Sequence, residues 1–344
     1  MSNQADPTPV SNTKPITRER WRHRPLFERL VAMEALFIEH QSVTAILNFV
    51  KRELVLSRIK GESSAALVIA PSGGGKSRLI KHLGDIYPRS ETETQSLRPV
   101  IRFKIPKVLT LKGMGEALLV ALGDPMPGLG DADDKVERFV RLLQACETII
   151  IAIDDFQDVP EKRHEAGVQE IGNWVRDLIT EYFKGLVLVF GTEPAAIVRD
   201  SNQQLRRRMQ ARFELPEFSL ETPDQMKAFK SLINTIDRCL PLAESSQLDT
   251  GKVLKRIERA TGGNLDYIMK LLTKALMRAV ERGSERIDLV DLEGAFVDQH
   301  QVAAYNGNPF AEAFVDAPLD QPGQIFFTVK AEEKSSKKKP KVSG

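Results

Sequence analysis

The chain is predicted to fold as an α/β domain, a parallel sheet flanked by helices, with a second, small all-helical domain. Three observations carry this. A glycine-rich loop, Ala70-Pro71-Ser72-Gly73-Gly74-Gly75-Lys76-Ser77, stands between an apolar run and a helix-like stretch. Further apolar runs of strand length alternate with helical patterns up to about residue 222, and such alternation builds parallel sheets covered on both faces. Beyond Thr222 only helical patterns remain.

In order along the chain, residues 1–25 form a polar arm, rich in Ser, Pro, Thr and Asn at its start, that is expected to be flexible. Its Arg18-Glu19-Arg20-Trp21-Arg22-His23-Arg24 stretch reads as a solvated arm, with contact to DNA or a neighbouring subunit as the alternative. Leu30, Met33, Leu36 and Phe37, then Val43, Ile46, Leu47 and Val50, recur at helical spacing and predict two helices broken near His40-Gln41-Ser42. The run Ala65–Ile69 is the strand entering the glycine-rich loop. Val100–Ile105 is a second strand, followed by a helix over about 113–122. Thr148–Ile153 is almost wholly apolar and so a strand buried on both faces. Gly185–Phe190 is another. The α/β core therefore spans 26–222. Helical patterns over 223–238, 249–261, 264–282 and 288–300 make a helical lid of 223–300, and 301–344 is a polar tail, expected to be flexible. Within it Phe310, Phe314 and Ile325-Phe326-Phe327 suggest a partner-docking segment. Lys337-Lys338-Lys339-Pro340-Lys341 is a solubilising end or a nucleic-acid arm.

Composition narrows the class. With 344 residues, 42% hydrophobic and 28% charged, the chain has the make-up of a soluble globular protein. A net charge of +2 gives no global field for nucleic acid, so any DNA contact has to come from local clusters. Cys146 and Cys239 read as buried thiols, and the five histidines have no metal-ligand spacing. No run approaches the roughly 20 apolar residues of a membrane span, and the start lacks a signal-peptide core, so a cytoplasmic location is expected.

The chemistry lies where the strands end, which is where such sheets bind ligands. In a strand–glycine loop–helix context, the loop Pro71–Gly75, through its backbone N–H groups from Ser72 onward, and the following helix N-terminus cradle phosphates. Lys76 reaches the β- and γ-phosphates, Ser77 takes Mg²⁺, and Arg78 follows in the same turn. Asp154, ending the buried strand, is placed to hold the Mg²⁺ through water, opposite Ser77. Asp155 is the candidate base or water-orienting group. Thr192, at the end of the next strand, can hydrogen-bond water or the γ-phosphate. Arg206, Arg207, Arg208 and Arg212 fall within seven residues. An arginine given in trans to a γ-phosphate speeds hydrolysis by roughly 10³–10⁵, and requires a head-to-tail neighbour in a ring or filament.

This set, a P-loop, a strand ending in two acids, a polar strand end, an arginine cluster and a helical lid, resembles the AAA+ ATPases over roughly residues 26–300. Two departures stand out. The second acid is usually Glu, where this chain has Asp155, and the arginine usual at the start of the third lid helix is absent from Gly262-Gly263-Asn264-Leu265-Asp266. Both favour slow, regulatory hydrolysis. The finer pattern is similar to the TnsC/TniB family of DNA transposition regulators, through Val100–Gly123, Gly191-Thr192-Glu193-Pro194-Ala195 and Gln210–Pro216. The resemblance implies ATP and Mg²⁺ as cofactors and assembly on double-stranded DNA as a ring or helical filament, with Arg212 or Arg208 reaching the neighbour's ATP. It also implies partnership with a transposase and a TniQ/TnsD-like target selector, with disassembly on hydrolysis. On the same resemblance Lys104, Lys107, Thr110 and Lys112 are the DNA-binding set, although three lysines so close also suit a solvated edge. The alternatives are a DnaC/IstB-like loader of another protein onto DNA, and an ATP-binding scaffold that does not hydrolyse. A secretion-associated ATPase of the ExeA type is disfavoured by the lack of a membrane span.

Overall fold

The computed structural model describes residues 18–107, 109–300, 307–313, 316–321 and 324–326. Residues 1–17, Phe314, Phe327 and the 337–341 lysine run lie outside the described residues.

Helices α1 (Leu26–Ala35) and α2 (Gln41–Lys60) precede strand β1 (Ser64–Ile69), and α3 (Lys76–Ile86) follows the glycine-rich loop. A short hairpin, β2 (Ser90–Glu91) and β3 (Ser96–Leu97), leads to β4 (Val100–Lys104), α4 (Leu111–Leu122) and α5 (Ala132–Ala145). Strand β5 (Ile150–Asp154) is followed by α6 (Asp158–Lys162) and α7 (Glu165–Asp177), which runs on into a wider helical turn over Leu178–Tyr182. Then come β6 (Leu186–Gly191), α8 (Ala195–Ser201), α9 (Gln203–Arg208) and β7 (Ala211–Glu214). The lid is α10 (Pro223–Cys239), α11 (Gly251–Thr261), α12 (Leu265–Glu281) and α13 (Leu289–His300).

The main sheet is parallel throughout, in the order β4-β5-β6-β1-β7. Side chains alternate across it. Leu67, Ile151, Ile153, Val187 and Val189 face the layer of α4, α5, α7 and α8. Val68, Ile150, Ala152, Leu188 and Phe190 face α2 and α3. The expected strands and lid helices are present to within two residues at most ends. Helix α10 starts where the sequence marks it, with a Thr222/Gln225 capping box and Pro223 in its first turn. The hairpin, α5–α9 and edge strand β7 were not predicted. β7 is short and its middle is Arg212-Phe213, so it carries little strand signal.

Two expected boundaries are corrected. Helix α1 belongs with the lid and not with the α/β core: Met33 and Ile38 are buried in the lid cluster beside Phe229, Leu272 and Leu276. Arg29, 2% exposed, grips Glu285 through its two terminal guanidinium nitrogens at 2.8 and 2.9 Å, and Arg18 of the arm bonds the Asp237 side chain at 3.3 Å. The second correction concerns the tail. Phe310 and Leu319 are buried in that same lid cluster, Arg256 donates to the Phe310 carbonyl at 2.7 Å, and Asp316 pairs with Lys255 and Arg259. These parts of 301–344 are a cover for the chain's own lid. Cys146 is buried and Cys239 half-buried, both as free thiols.

Candidate nucleotide-binding site

The glycine-rich loop crosses from the end of β1 to the first turn of α3, at the carboxyl edge of the sheet. Gly73 (φ +75°) and Gly75 (φ +92°) lie in the left-handed region that glycine adopts without strain. At Gly73 space is decisive too, since a Cβ there would stand 2.5 Å from Asn264 Oδ1 of the lid. The Lys76 ammonium is folded back on its own loop, donating to the carbonyls of Ala70 at 2.6 Å and Pro71 at 2.9 Å. Burial lowers its pKa, against the opposing charges of Asp154 and Asp155. Arg78, in the same turn, pairs with Glu34 of α1 at 3.2 Å across the cleft.

Both acids are where a parallel sheet presents ligands. Asp154 closes β5 and is 2% exposed. Asp155 follows with φ +57°, a strained conformation for a side-chain-bearing residue and one that functional sites retain. Its N–H donates to Asp154 Oδ1 at 3.0 Å. The β4–β5 register sets Lys104 opposite Asp154, and the Lys104 ammonium sits 2.8 Å from the Asp155 carboxylate. Burial pushes the Asp155 carboxyl up, but the hydrogen bond and charge of Lys104, with help from Gln157 and Arg102, outweigh it and leave the pKa below the usual carboxylate value. Lys104, expected on DNA, is therefore engaged with the second acid.

Sequence reasoning missed three residues here. Arg102, two positions before Lys104 and on the same strand face, donates from Nε to Asp154 Oδ2 at 3.0 Å and from Nη2 to Ser77 Oγ at 3.0 Å. Gln157 accepts from the Thr192 N–H at 3.2 Å and approaches Asp155 Oδ1 at 3.4 Å, tying the two strand ends together. Asn264, at the start of α12, donates to the Ser72 carbonyl at 2.8 Å and to Glu217 at 3.2 Å, while the Asp266 N–H reaches the Gly73 carbonyl at 3.2 Å. Asn264 holds the place where the sequence lacks an arginine, and its only local signal is that of a helix N-cap.

These groups line a cleft of about 860 Å³ between sheet edge and lid. Its lining combines polar groups, among them the loop, Ser77, Asp154, Asp155 and Thr192, with apolar ones that include Phe37, Val43, Leu265 and Met269. The Phe37 ring stacks on His82 at 3.7 Å. A cleft that joins a phosphate cradle to apolar wall residues has the polarity that a nucleotide requires. Ser77 Oγ and the Asp154 carboxylate converge on one cationic nitrogen of Arg102, so these hard oxygen donors are placed to fit Mg²⁺.

The arginine cluster is divided. Arg212, on β7, is neutralised within the chain by Glu193 at 3.0 Å and Glu214 at 2.9 Å. Arg206, Arg207 and Arg208 end α9, are exposed, and have no ion-pair partner among the described residues. Lys107, in the turn from β4 into α4, and Lys112, in the first turn of α4, are likewise exposed, and Thr110 is the N-cap of α4, accepting from the Gly113 N–H at 3.0 Å. Among the described residues no helix is long and apolar enough to cross a membrane, and no group of His, Cys, Asp and Glu is arranged to hold a metal by itself.

The sequence model of the family described as "Bacterial TniB protein" matches residues 30–220. Among solved structures, the chain is similar to the Aeropyrum pernix ORC2 protein in its ADPNP–ADP complexes, at 13% identity over 78% of this chain and 71% of that one, with a TM-score of 0.54. It is also similar to the Aeropyrum pernix ORC1 protein in complex with DNA, at 17% identity over 79% and 69% of the two chains, with a TM-score of 0.53. At these identities the likeness is one of fold. None of the curated proteins matches the chain in sequence.

Proposed function

The chain belongs to the TniB family and has an AAA+ ATPase fold, and from this premise we propose that it is an ATP-dependent, DNA-binding regulator of transposition. In this reading it assembles on double-stranded DNA as a ring or helical filament and links a TniQ/TnsD-like target selector to a transposase. Slow hydrolysis then disassembles it. The observation that carries the reading is the Lys104–Asp155 pair, which joins the second acid of the ATP site to the strand end that leads to Lys107 and to Lys112 at the start of α4.

The residues divide the work as follows. Loop N–H groups and Lys76 hold the triphosphate once the ammonium leaves the Ala70 and Pro71 carbonyls. Ser77, with Asp154 through water, would hold Mg²⁺, which would neutralise phosphate charge when bound. Asp155 orients the attacking water with help from Thr192, and Gln157 fixes their spacing. A carboxylate whose basicity is lowered by Lys104 is a weak base, which suits slow turnover and a timing role. Phosphate contacts by Lys107 and Lys112, repeated along an assembly, add up despite the near-neutral net charge. Arg208 is the better candidate than Arg212 for a trans contact, because Arg212 already has two carboxylates. The same weak base favours, as a second reading, a scaffold that binds ATP without hydrolysing it.

Electron microscopy with plasmid DNA in ATP, a non-hydrolysable analogue and ADP tests this. Assemblies on DNA that require the triphosphate and are lost in ADP are expected. DNA bare in all three states would sink the transposition reading, and assemblies that persist through a full ATP incubation would favour the scaffold.

A further inference from the structure

The Arg102 guanidinium stands at the point where the two oxygen donors of the magnesium site meet. Its Nε lies 3.0 Å from Asp154 Oδ2, and its Nη2 serves both that carboxylate and Ser77 Oγ, the latter at 3.0 Å. No sequence motif asks for an arginine here; the strand register and the cover of α3 bring it in. Asp154 is 2% exposed, and a buried carboxylate without a partner is strongly disfavoured, so a cation at this point stabilises the site.

We propose that Arg102 is an internal, displaceable cation that competes with Mg²⁺ for the Ser77–Asp154 pair and so sets the metal concentration at which the site loads. Two physical arguments support it. A metal held by Ser77 Oγ, with Asp154 reached directly or through one of the waters that Mg²⁺ keeps, would lie between the same two oxygens that the guanidinium now bridges. Two cations so close also repel at low local dielectric, so the occupants exclude each other. The side chain is free to leave, being about one-third exposed and part of the cleft wall. Once displaced it remains in the cleft that receives the phosphates, alongside Lys76. Loading is thus an exchange of one positive group for another, with Asp154 neutralised before and after.

The inference rests on the cleft being an ATP site, and the experiment separates the two. Equilibrium binding of a fluorescent ATP analogue is measured for the wild type and for Arg102→Ala, Arg102→Gln and Arg102→Lys, first in EDTA and then across a magnesium series, with a melting curve on each. The loss of one charge-assisted hydrogen bond corresponds to about tenfold in an equilibrium. The Ala and Gln variants are therefore expected to half-saturate at about tenfold lower Mg²⁺ than wild type, with weaker binding in EDTA, and Lys is expected to fall between. A half-saturation unmoved or raised in both neutral variants, with nucleotide still bound, would show that Arg102 merely ties β4 to β5 or assists the metal, and would overturn the proposal. If Arg102→Ala fails to fold, Arg102→Gln decides. Wild type binding no nucleotide at any magnesium concentration would remove the ATP reading and this inference with it.

Discussion

The ammonium of Lys104 lies 2.8 Å from the carboxylate of Asp155, so the last residue of β4 neutralises the residue that follows β5. The pair places the basicity of the second acid under the control of a strand end that leads directly to Lys107 and Lys112. Lys104→Met should raise turnover without DNA several-fold and blunt its stimulation by DNA. Asp155→Asn should lower turnover by about 10²-fold or more. The pH dependence has a definite sign. Asp155 is held below the usual carboxylate value in the wild type, so its acid limb lies low; without Lys104 the effect of burial is less opposed, and the limb should move to higher pH. Phosphate release across pH, with and without DNA, measures all three.

The divided arginine cluster predicts unequal variants. Arg208→Ala should lower ATP-dependent assembly and turnover by about 10³-fold if it contacts a neighbour's γ-phosphate. Arg212→Ala should act mainly within its own chain, costing no more than about 1 kcal/mol, because its partners Glu193 and Glu214 are largely exposed. Sedimentation with ATP, paired with thermal melting, distinguishes them. Equal loss of assembly in both would show that the intrachain pairing of Arg212 is broken when subunits meet.

Asn264 predicts coupling between lid and nucleotide. Its side chain caps α12 and also holds the Ser72 carbonyl, so Asn264→Ala should destabilise the protein by about 1–2 kcal/mol and weaken nucleotide binding. Asn264→Ser preserves the cap without the reach to Ser72. It should recover most of the stability and little of the affinity, as read by urea denaturation and nucleotide titration.

The Arg29–Glu285 pair fastens α1 to the lid. Glu285→Gln should cost about 2 kcal/mol, the worth of hydrogen bonds to a charged group. The hydrogen bond from Arg29 chiefly holds the Glu285 carboxyl below its usual value, against burial. The unfolded chain therefore takes up its proton first as pH falls. The advantage of wild type over Glu285→Gln should be full above the ordinary glutamate pKa and should shrink as pH falls through the lowered one. Urea midpoints at neutral and acid pH test this.

Local chemistry determined much of the protein. The glycine-rich loop, the apolar runs that end at Asp154 and Thr192, and the capped lid helices each declare themselves within a few residues. Backbone propensity, side-chain period and phosphate-loop geometry are short-range effects. Tertiary structure decided what those parts do to one another. The β4–β5 register brought Lys104 to Asp155 and Arg102 to Asp154, and lid docking brought Asn264 to Ser72. Burial of Met33 and Phe310 moved the first helix and the tail segment onto the lid. These are pairings between residues far apart in the chain, and no local period or composition encodes which distant partner a charged or aromatic side chain will meet. The sequence alone could place an ATP site at the sheet edge; only the packed structure reveals that an arginine sits between Ser77 and Asp154.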